Sequence, residues 1–194
     1  ASASSTQLTM ADRLFEERVI MLDCPIDSAV ATEVIFMLSC LNIESHDPIH
    51  FYLNSPGGSI SDGLAIVDCM RGIASPVCTH ALGIAASMAS VILACGEPGL
   101  RFVAPSAEVM VHQPLTIGNG TMSADGLAES AMRILDKKSQ INAILVAATG
   151  LSVERVDEIL ARDTWLNAAE ALDCGFVDQI ETNWMSFLKG ETWE

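Results

Sequence analysis

The chain predicts an α/β fold, a mostly parallel sheet with crossover helices, on three observations. Short β-rich runs alternate with stretches of helical periodicity from residue 17 to about residue 112. Half of the residues are hydrophobic but only 5% are aromatic, and Ala, Ile, Val, Leu and Met dominate, as in a tightly packed α/β interior. The 194 residues suit one domain with a sizeable core, and neither an internal repeat nor an interdomain linker interrupts them.

"ERVIML" (17–22) predicts the first strand, and "DSAVATEVIFMLSCLN" (27–42) a helix. Asp27 can cap that helix, and Val30, Val34, Met37, Leu38 and Leu41 fall on one face. "IHFYL" (49–53) is the next strand, running into "NSPGG" (54–58) and then a helix over 59–73. A strand at "PVCTH" (76–80), a helix at about 87–95, and strands near 101–104 and 108–112 follow. "QPLTIGNGTM" (113–122) reads as loop or edge strand because it holds Pro, two Gly and Asn. One long helix then covers 123–150, stopped by Gly150. Ser152 can cap the next helix, and Asn167 with Glu170 has capping-box spacing for a last one, reaching about Asp173.

Composition excludes several classes of function. A formal charge of −15 argues against nucleic acid, whose binding rests on Lys and Arg at phosphates. No run reaches about 18 apolar residues, which argues against a membrane span. The six cysteines are scattered without a C-x-x-C pair, mostly in apolar segments, and read as free buried thiols of a reducing compartment. A hydrophobic composition of this kind also fits a chain that buries surface in an oligomer.

Three features carry chemistry. The Gly pair of "NSPGG" allows unusual backbone angles and close approach of a ligand, although an ordinary tight turn is the commoner meaning. Ser87, in "LGIAASMAS", opens a predicted helix among small residues. Such a serine is more often a plain cap than a nucleophile. As a nucleophile it would have the Met88 N–H beside it, able to join the Gly58 N–H in holding an oxyanion. His112 ends the apolar strand "EVMVH"; such a histidine is commonly structural, but a serine nucleophile needs a base, and that base a carboxylate.

"ERVIML", "YLNSPGGSISDGLAIVDCM", "GIAASMASVILACG", "RFVAPSAEVMVHQP" and "ARDTWLNAAEALDCGFVD" occur in this order and spacing. Together they resemble the ClpP family of self-compartmentalising serine peptidases, from about Leu14 to Ile180. The resemblance implies a crotonase/ClpP-like β/α spiral with a long protruding handle helix. It divides the chain into a flexible segment 1–13, a single peptidase domain 14–181 with its handle at about 113–150, and a tail 182–194. It implies a serine endopeptidase with Ser87 as nucleophile, His112 as base, Asp163 as orienting acid, and Gly58 and Met88 as oxyanion donors. Gly57, Ser59, Ile60, Pro114, Leu115 and Thr116 would flank an extended peptide, and Arg162 would pair with an acid across a ring–ring interface unless it is simply an exposed helix-end arginine.

The resemblance further implies two stacked heptameric rings, as homo-oligomer or mixed ring, cutting unfolded polypeptides. No cofactor is expected, because ATP is used by an AAA+ unfoldase partner. The location expected is cytoplasmic, or an organelle stroma or matrix if Ala1 is a processed terminus. A catalytically silent subunit of a mixed ring and a phage-type capsid-maturation peptidase of related fold remain alternatives; an acyl-CoA enzyme of the crotonase fold would have no need of Ser87, His112 and Asp163 together. The chain departs from the family where docking positions are usually aromatic or aliphatic: here they are His50, Tyr52, Gly72 and Glu181, and only Tyr52 keeps that character. Ala89 stands where the family usually has Gly. The segment before Leu14 lacks a match to the family's axial-pore loop. The tail "NWMSFLKGETWE" is rich in aromatics.

Overall fold

The structure, a computed structural model, describes residues 9–115 and 123–183. Helix α1 (Met10–Glu16) opens it, capped by Thr9 and Asp12, each side chain accepting the other's backbone N–H. The boundary expected at residues 13 and 14 therefore falls inside a helix. Strand β1 (Val19–Leu22) leads to α2 (Ser28–Glu44), whose first-turn N–H groups of Ala29 and Val30 both donate to Asp27 Oδ1 at 2.9 Å. Ala31, Val34, Leu38 and Leu41 bury its inner face, while Val30 and Met37 are only partly covered.

Strand β2 (Ile49–Ser55), helix α3 (Ile60–Gly72) and strand β3 (Val77–Ala86) continue the alternation. All pairings among β1, β2 and β3 are parallel. Strand β3 does not stop at His80 as the sequence predicts. It bends at Gly83, whose φ of +70° suits glycine, and runs on to Ala86. The Ile84 N–H donates to Asn54 Oδ1 at 3.2 Å, where the β2–β3 register shifts. The bend lets one strand serve two neighbours. Thr79–Ala81 pair with β4 (Arg101–Val103), and Ile84–Ala86 with β5 (Glu108–Val111).

Helix α4 (Met88–Ala94) starts at the end of β3 and is buried along its whole length. Helix α5 (Ala124–Thr149) has 26 residues, about 39 Å at the α-helical rise. Ser123 caps it and Gly150, at φ 75°, ends it in the left-handed conformation. Only Ile141 and Leu145 are buried; Leu127, Met132 and Leu135 in the other half are exposed. Helix α6 (Val153–Leu160), strand β6 (Thr164–Leu166), helix α7 (Ala168–Asp173) and strand β7 (Gln179–Ile180) complete the described chain. The capping box of Asn167 and Glu170 forms as its spacing predicts. The described strands run β1-β2-β3-β4-β7, with β5 joining β3 to β6; among them only β5–β6 is antiparallel.

Buried Arg101 fixes where the helices leave the body. It binds Asp178 through Nε and Nη2, and its Nη1 donates to the carbonyls of Ala94, Ala148 and Gly175, near the ends of α4, α5 and α7. All six cysteines are free, but only Cys78 is fully buried and Cys40 is exposed, so the expected burial of the thiols holds in part. None of the described helices is long and apolar enough to cross a membrane.

Candidate active site

The end of β3 delivers Ser87 in an unusual conformation, φ 54° and ψ −122°, at the N-cap of α4. A non-glycine residue held there costs on the order of 1–3 kcal/mol and persists only when its surroundings over-determine it. Here the Ser87 N–H donates to the Met110 carbonyl at 2.8 Å. Its hydroxyl makes no capping bond, so the commoner reading of Ser87 as a cap is not fulfilled. The Oγ lies 2.8 Å from His112 Nε2 instead.

His112 follows β5, and Asp163 precedes β6. The antiparallel pairing of Val111 with Thr164 is what makes these two residues neighbours. His112 Nδ1 is 3.8 Å from Asp163 Oδ1; the imidazole is largely enclosed, whereas the carboxylate side chain is 72% exposed. The Gln113 N–H donates to the Leu160 carbonyl at 2.8 Å and fastens the same region to α6. Serine, histidine and aspartate thus lie in line, tight on the serine side and loose on the aspartate side. A proton on Nδ1 facing Asp163 leaves Nε2 as acceptor for the serine hydroxyl.

Gly57 (φ 84°) and Gly58 (φ 154°) lie against this centre. A Cβ on Gly57 would stand 2.8 Å from both the Met88 nitrogen and Ser87 Cβ, so only glycine permits the approach. The Met88 N–H belongs to the first turn of α4, where the helix supplies no acceptor. The Met88 side chain packs onto Gly63 of α3. Ile26 forms a bridge with Gly58: its N–H donates to the Gly57 carbonyl at 2.9 Å, and its carbonyl accepts the Ser59 N–H at 2.8 Å. Ser59 also caps α3, its Oγ accepting the Asp62 N–H at 3.4 Å.

A cavity of about 410 Å³ opens beside Ser87 and is bordered by Gly57, Gly58, Ile60, Pro114 and Leu115. Its inner wall includes Val91, Met110, Ile141, Leu145 and Leu160, and among the described residues it holds no Lys, Arg, Asp or Glu. Sequence reasoning missed Ile141, Leu145 and Leu160, because only tertiary packing brings α5 and α6 to the site. Buried Ser90 was also missed; its one signal was a hydroxyl within the apolar run "MASVILACG". Ala89 is fully buried under the site. Thr116 lies outside the described residues, and Arg162 is exposed, its carbonyl accepting the Thr164 hydroxyl at 3.3 Å. Among the described residues no group of three or more His, Cys, Asp or Glu is placed to hold a metal ion.

Two other histidines, His50 and His80, form a separate chain with Glu181. His80 lies within β3, buried between the rings of Tyr52 and Phe102. Its Nε2 is 3.1 Å from His50 Nδ1, and its Nδ1 is 3.3 Å from Glu181 Oε2. Burial pushes His80 down to about 3 and, with the neighbouring His80 and Arg18, His50 down to about 4. Burial pushes Glu181 up to about 7. Of the four docking positions, Tyr52 and Glu181 are inside the chain, His50 is half-buried, and a Cβ at Gly72 would meet open space.

A strand-to-helix serine facing an imidazole at an apolar cleft, on a parallel sheet with one long projecting helix, is an arrangement suited to acyl transfer. Comparison with known proteins agrees. The Clp protease family model matches residues 2–183. The ATP-dependent Clp protease proteolytic subunit 2 of Tropheryma whipplei (strain Twist) is 41% identical over 180 residues, covering 92% of this chain and 99% of that protein. The ATP-dependent Clp protease proteolytic subunits of Streptococcus pneumoniae (strain 70585) and Streptococcus thermophilus (strain ATCC BAA-491 / LMD-9) are each 42% identical over 173 residues, covering 88% of either chain. The chain belongs to the Clp protease family, whose proteolytic subunits are serine-type endopeptidases.

Proposed function

We propose that this chain is a catalytically active serine endopeptidase that cleaves unfolded polypeptides within an oligomeric chamber. The observation that carries the reading is the 2.8 Å approach of Ser87 Oγ to His112 Nε2 beside an apolar cavity. Ser87 attacks the peptide carbonyl while His112 takes its proton and then hands it to the leaving amine. Water, deprotonated by His112, releases the acyl group and restores the serine. Asp163 holds the imidazole tautomer, and the N–H groups of Gly58 and Met88 receive the developing oxyanion. The apolar walls accept an apolar side chain next to the scissile bond, and the peptide runs between Ile60 and the segment Pro114–Leu115. No cofactor takes part in these steps.

The chamber is a double ring of this chain or of this chain with a relative, and the exposed Leu127, Met132 and Leu135 of α5 are the surface for that assembly. An AAA+ unfoldase supplies ATP-driven unfolding, through a docking face that departs from the family at half-buried His50 and at Gly72. The partner is accordingly specialised, or another subunit of a mixed ring supplies the face. The test is degradation of an unfolded polypeptide by the assembled oligomer, alone and with a standard Clp unfoldase. Hydrolysis abolished by Ser87→Ala is the expected result. An assembled oligomer that neither hydrolyses peptides nor reacts with a serine probe would identify a silent subunit, and strong stimulation of the homo-oligomer by the standard unfoldase would refute the specialised partner.

A further inference from the structure

Ser90 is a serine in a helix whose other residues are all apolar. It is buried, and its Oγ donates to the Ser87 carbonyl at 2.6 Å. The Ser90 backbone N–H donates to the same oxygen at 3.0 Å. One residue therefore supplies two donors to the carbonyl oxygen of Ser87. That carbonyl shares a planar trans peptide with the Met88 N–H, which points the opposite way. Whatever fixes the oxygen fixes the direction of that N–H. The torsion that sets this plane is the Ser87 ψ of −122°, in a residue already held at positive φ. Donation to the oxygen also polarises the peptide and strengthens the N–H as a donor.

We propose that Ser90 is a positioning residue: through the Ser87 carbonyl it aims and polarises the Met88 N–H at the oxyanion. This rests on the reading of Ser87 as nucleophile and of Met88 as oxyanion donor. A structural role would be different. A buried helical serine commonly satisfies its hydroxyl on a nearby carbonyl, and alanine there removes donor and need together, leaving turnover unchanged.

The experiment compares wild type, Ser90→Ala and Ser90→Cys in the assembled oligomer. It measures kcat and KM on a peptide substrate, and binding of a peptide aldehyde against the matching peptide alcohol. The aldehyde forms a tetrahedral adduct on Ser87 and places an oxygen in the oxyanion position, whereas the alcohol binds without one. Ser90→Ala is expected to lower kcat about 10-fold with KM unchanged, the size of one lost hydrogen bond. Aldehyde affinity falls by a similar factor, alcohol affinity and melting temperature stay, and Ser90→Cys, a weak donor, falls between. Unchanged kcat and aldehyde affinity in Ser90→Ala overturns the inference, as does an equal loss for aldehyde and alcohol. If Ser90→Ala does not assemble, the same two readouts on Ser90→Cys decide. A wild-type oligomer whose Ser87 fails to react with an organophosphorus probe overturns the nucleophile reading itself, and the inference with it; a reactive Ser87 with Ser90→Ala at full turnover overturns the inference alone.

Discussion

His112 Nδ1 and Asp163 Oδ1 are 3.8 Å apart, a full ångström more than the 2.8 Å between His112 Nε2 and Ser87 Oγ. On the proposed reading, the exposed carboxylate steers the imidazole by its charge more than by a tight hydrogen bond. Asp163→Asn is expected to lower kcat on the order of 10²-fold, within the range of general acid–base contributions, and less than Ser87→Ala. Steady-state kinetics of both variants would check this; equal losses would mean that Asp163 is as indispensable as the nucleophile.

Gly57→Ala should be more damaging than its size implies. The methyl group would press on the Met88 nitrogen and Ser87 Cβ at 2.8 Å, and φ 84° disfavours any side chain. Turnover is expected to fall on the order of 10²–10³-fold, as for a lost oxyanion donor, together with a lower melting temperature. Kinetics and thermal unfolding on one preparation test it, and unchanged kcat would separate Gly57 from the oxyanion site.

The caps show how much of the fold can be read from local sequence. Asp27, Ser152 and Asn167, read as caps from the sequence, each precede a helix and accept a first-turn N–H, while Ser59 and Ser123, read as the first residues of their helices, prove to be caps as well. Capping is a matter of a few adjacent residues, so it is legible. The second half of β3 was not. Ala81, Ala85 and Ala86 have no strand preference, and they are extended because β2 and β5 pair with them. The site divides in the same way. Ser87 and His112 stood out only as members of a pattern, and the contact of His112 with Asp163 depends on an antiparallel pair that no local signal announces.

The buried chain His50–His80–Glu181 gives a pH profile of stability. His80 and His50 titrate at about 3 and about 4 in the fold against an ordinary 6.5. Between these values the unfolded chain binds more protons, so their contribution is full above pH 6.5 and lost as pH falls towards 3. Glu181 acts oppositely, at about 7 against 4.5: its contribution is full below pH 4.5 and lost as pH rises through 7. Between about pH 4.5 and 6.5 the two histidines outweigh the single carboxyl, so melting temperature is expected to rise with pH over that range and to flatten near pH 7. Glu181→Gln removes the opposing contribution and should steepen the rise. A variant with the wild-type slope would exclude Glu181 as a contributor to it.

Half of α5 presents Leu127, Met132 and Leu135 to solvent, each more than 60% exposed in the isolated chain. Glutamate at Leu135 would cost the chain itself little and an apolar contact between chains much. Leu135→Glu is expected to lower the oligomer mass measured by light scattering while leaving the circular dichroism spectrum unchanged. An oligomer of wild-type mass would remove this surface from the assembly.

The central claim is that Ser87 is the nucleophile, activated by His112. Intact mass spectrometry of the assembled oligomer after reaction with a peptidyl phosphonate tests it most directly. One adduct per chain is expected, mapped to Ser87 by peptide sequencing, absent in Ser87→Ala and strongly slowed in His112→Ala. An adduct on another residue, or undiminished labelling of Ser87→Ala, would contradict it.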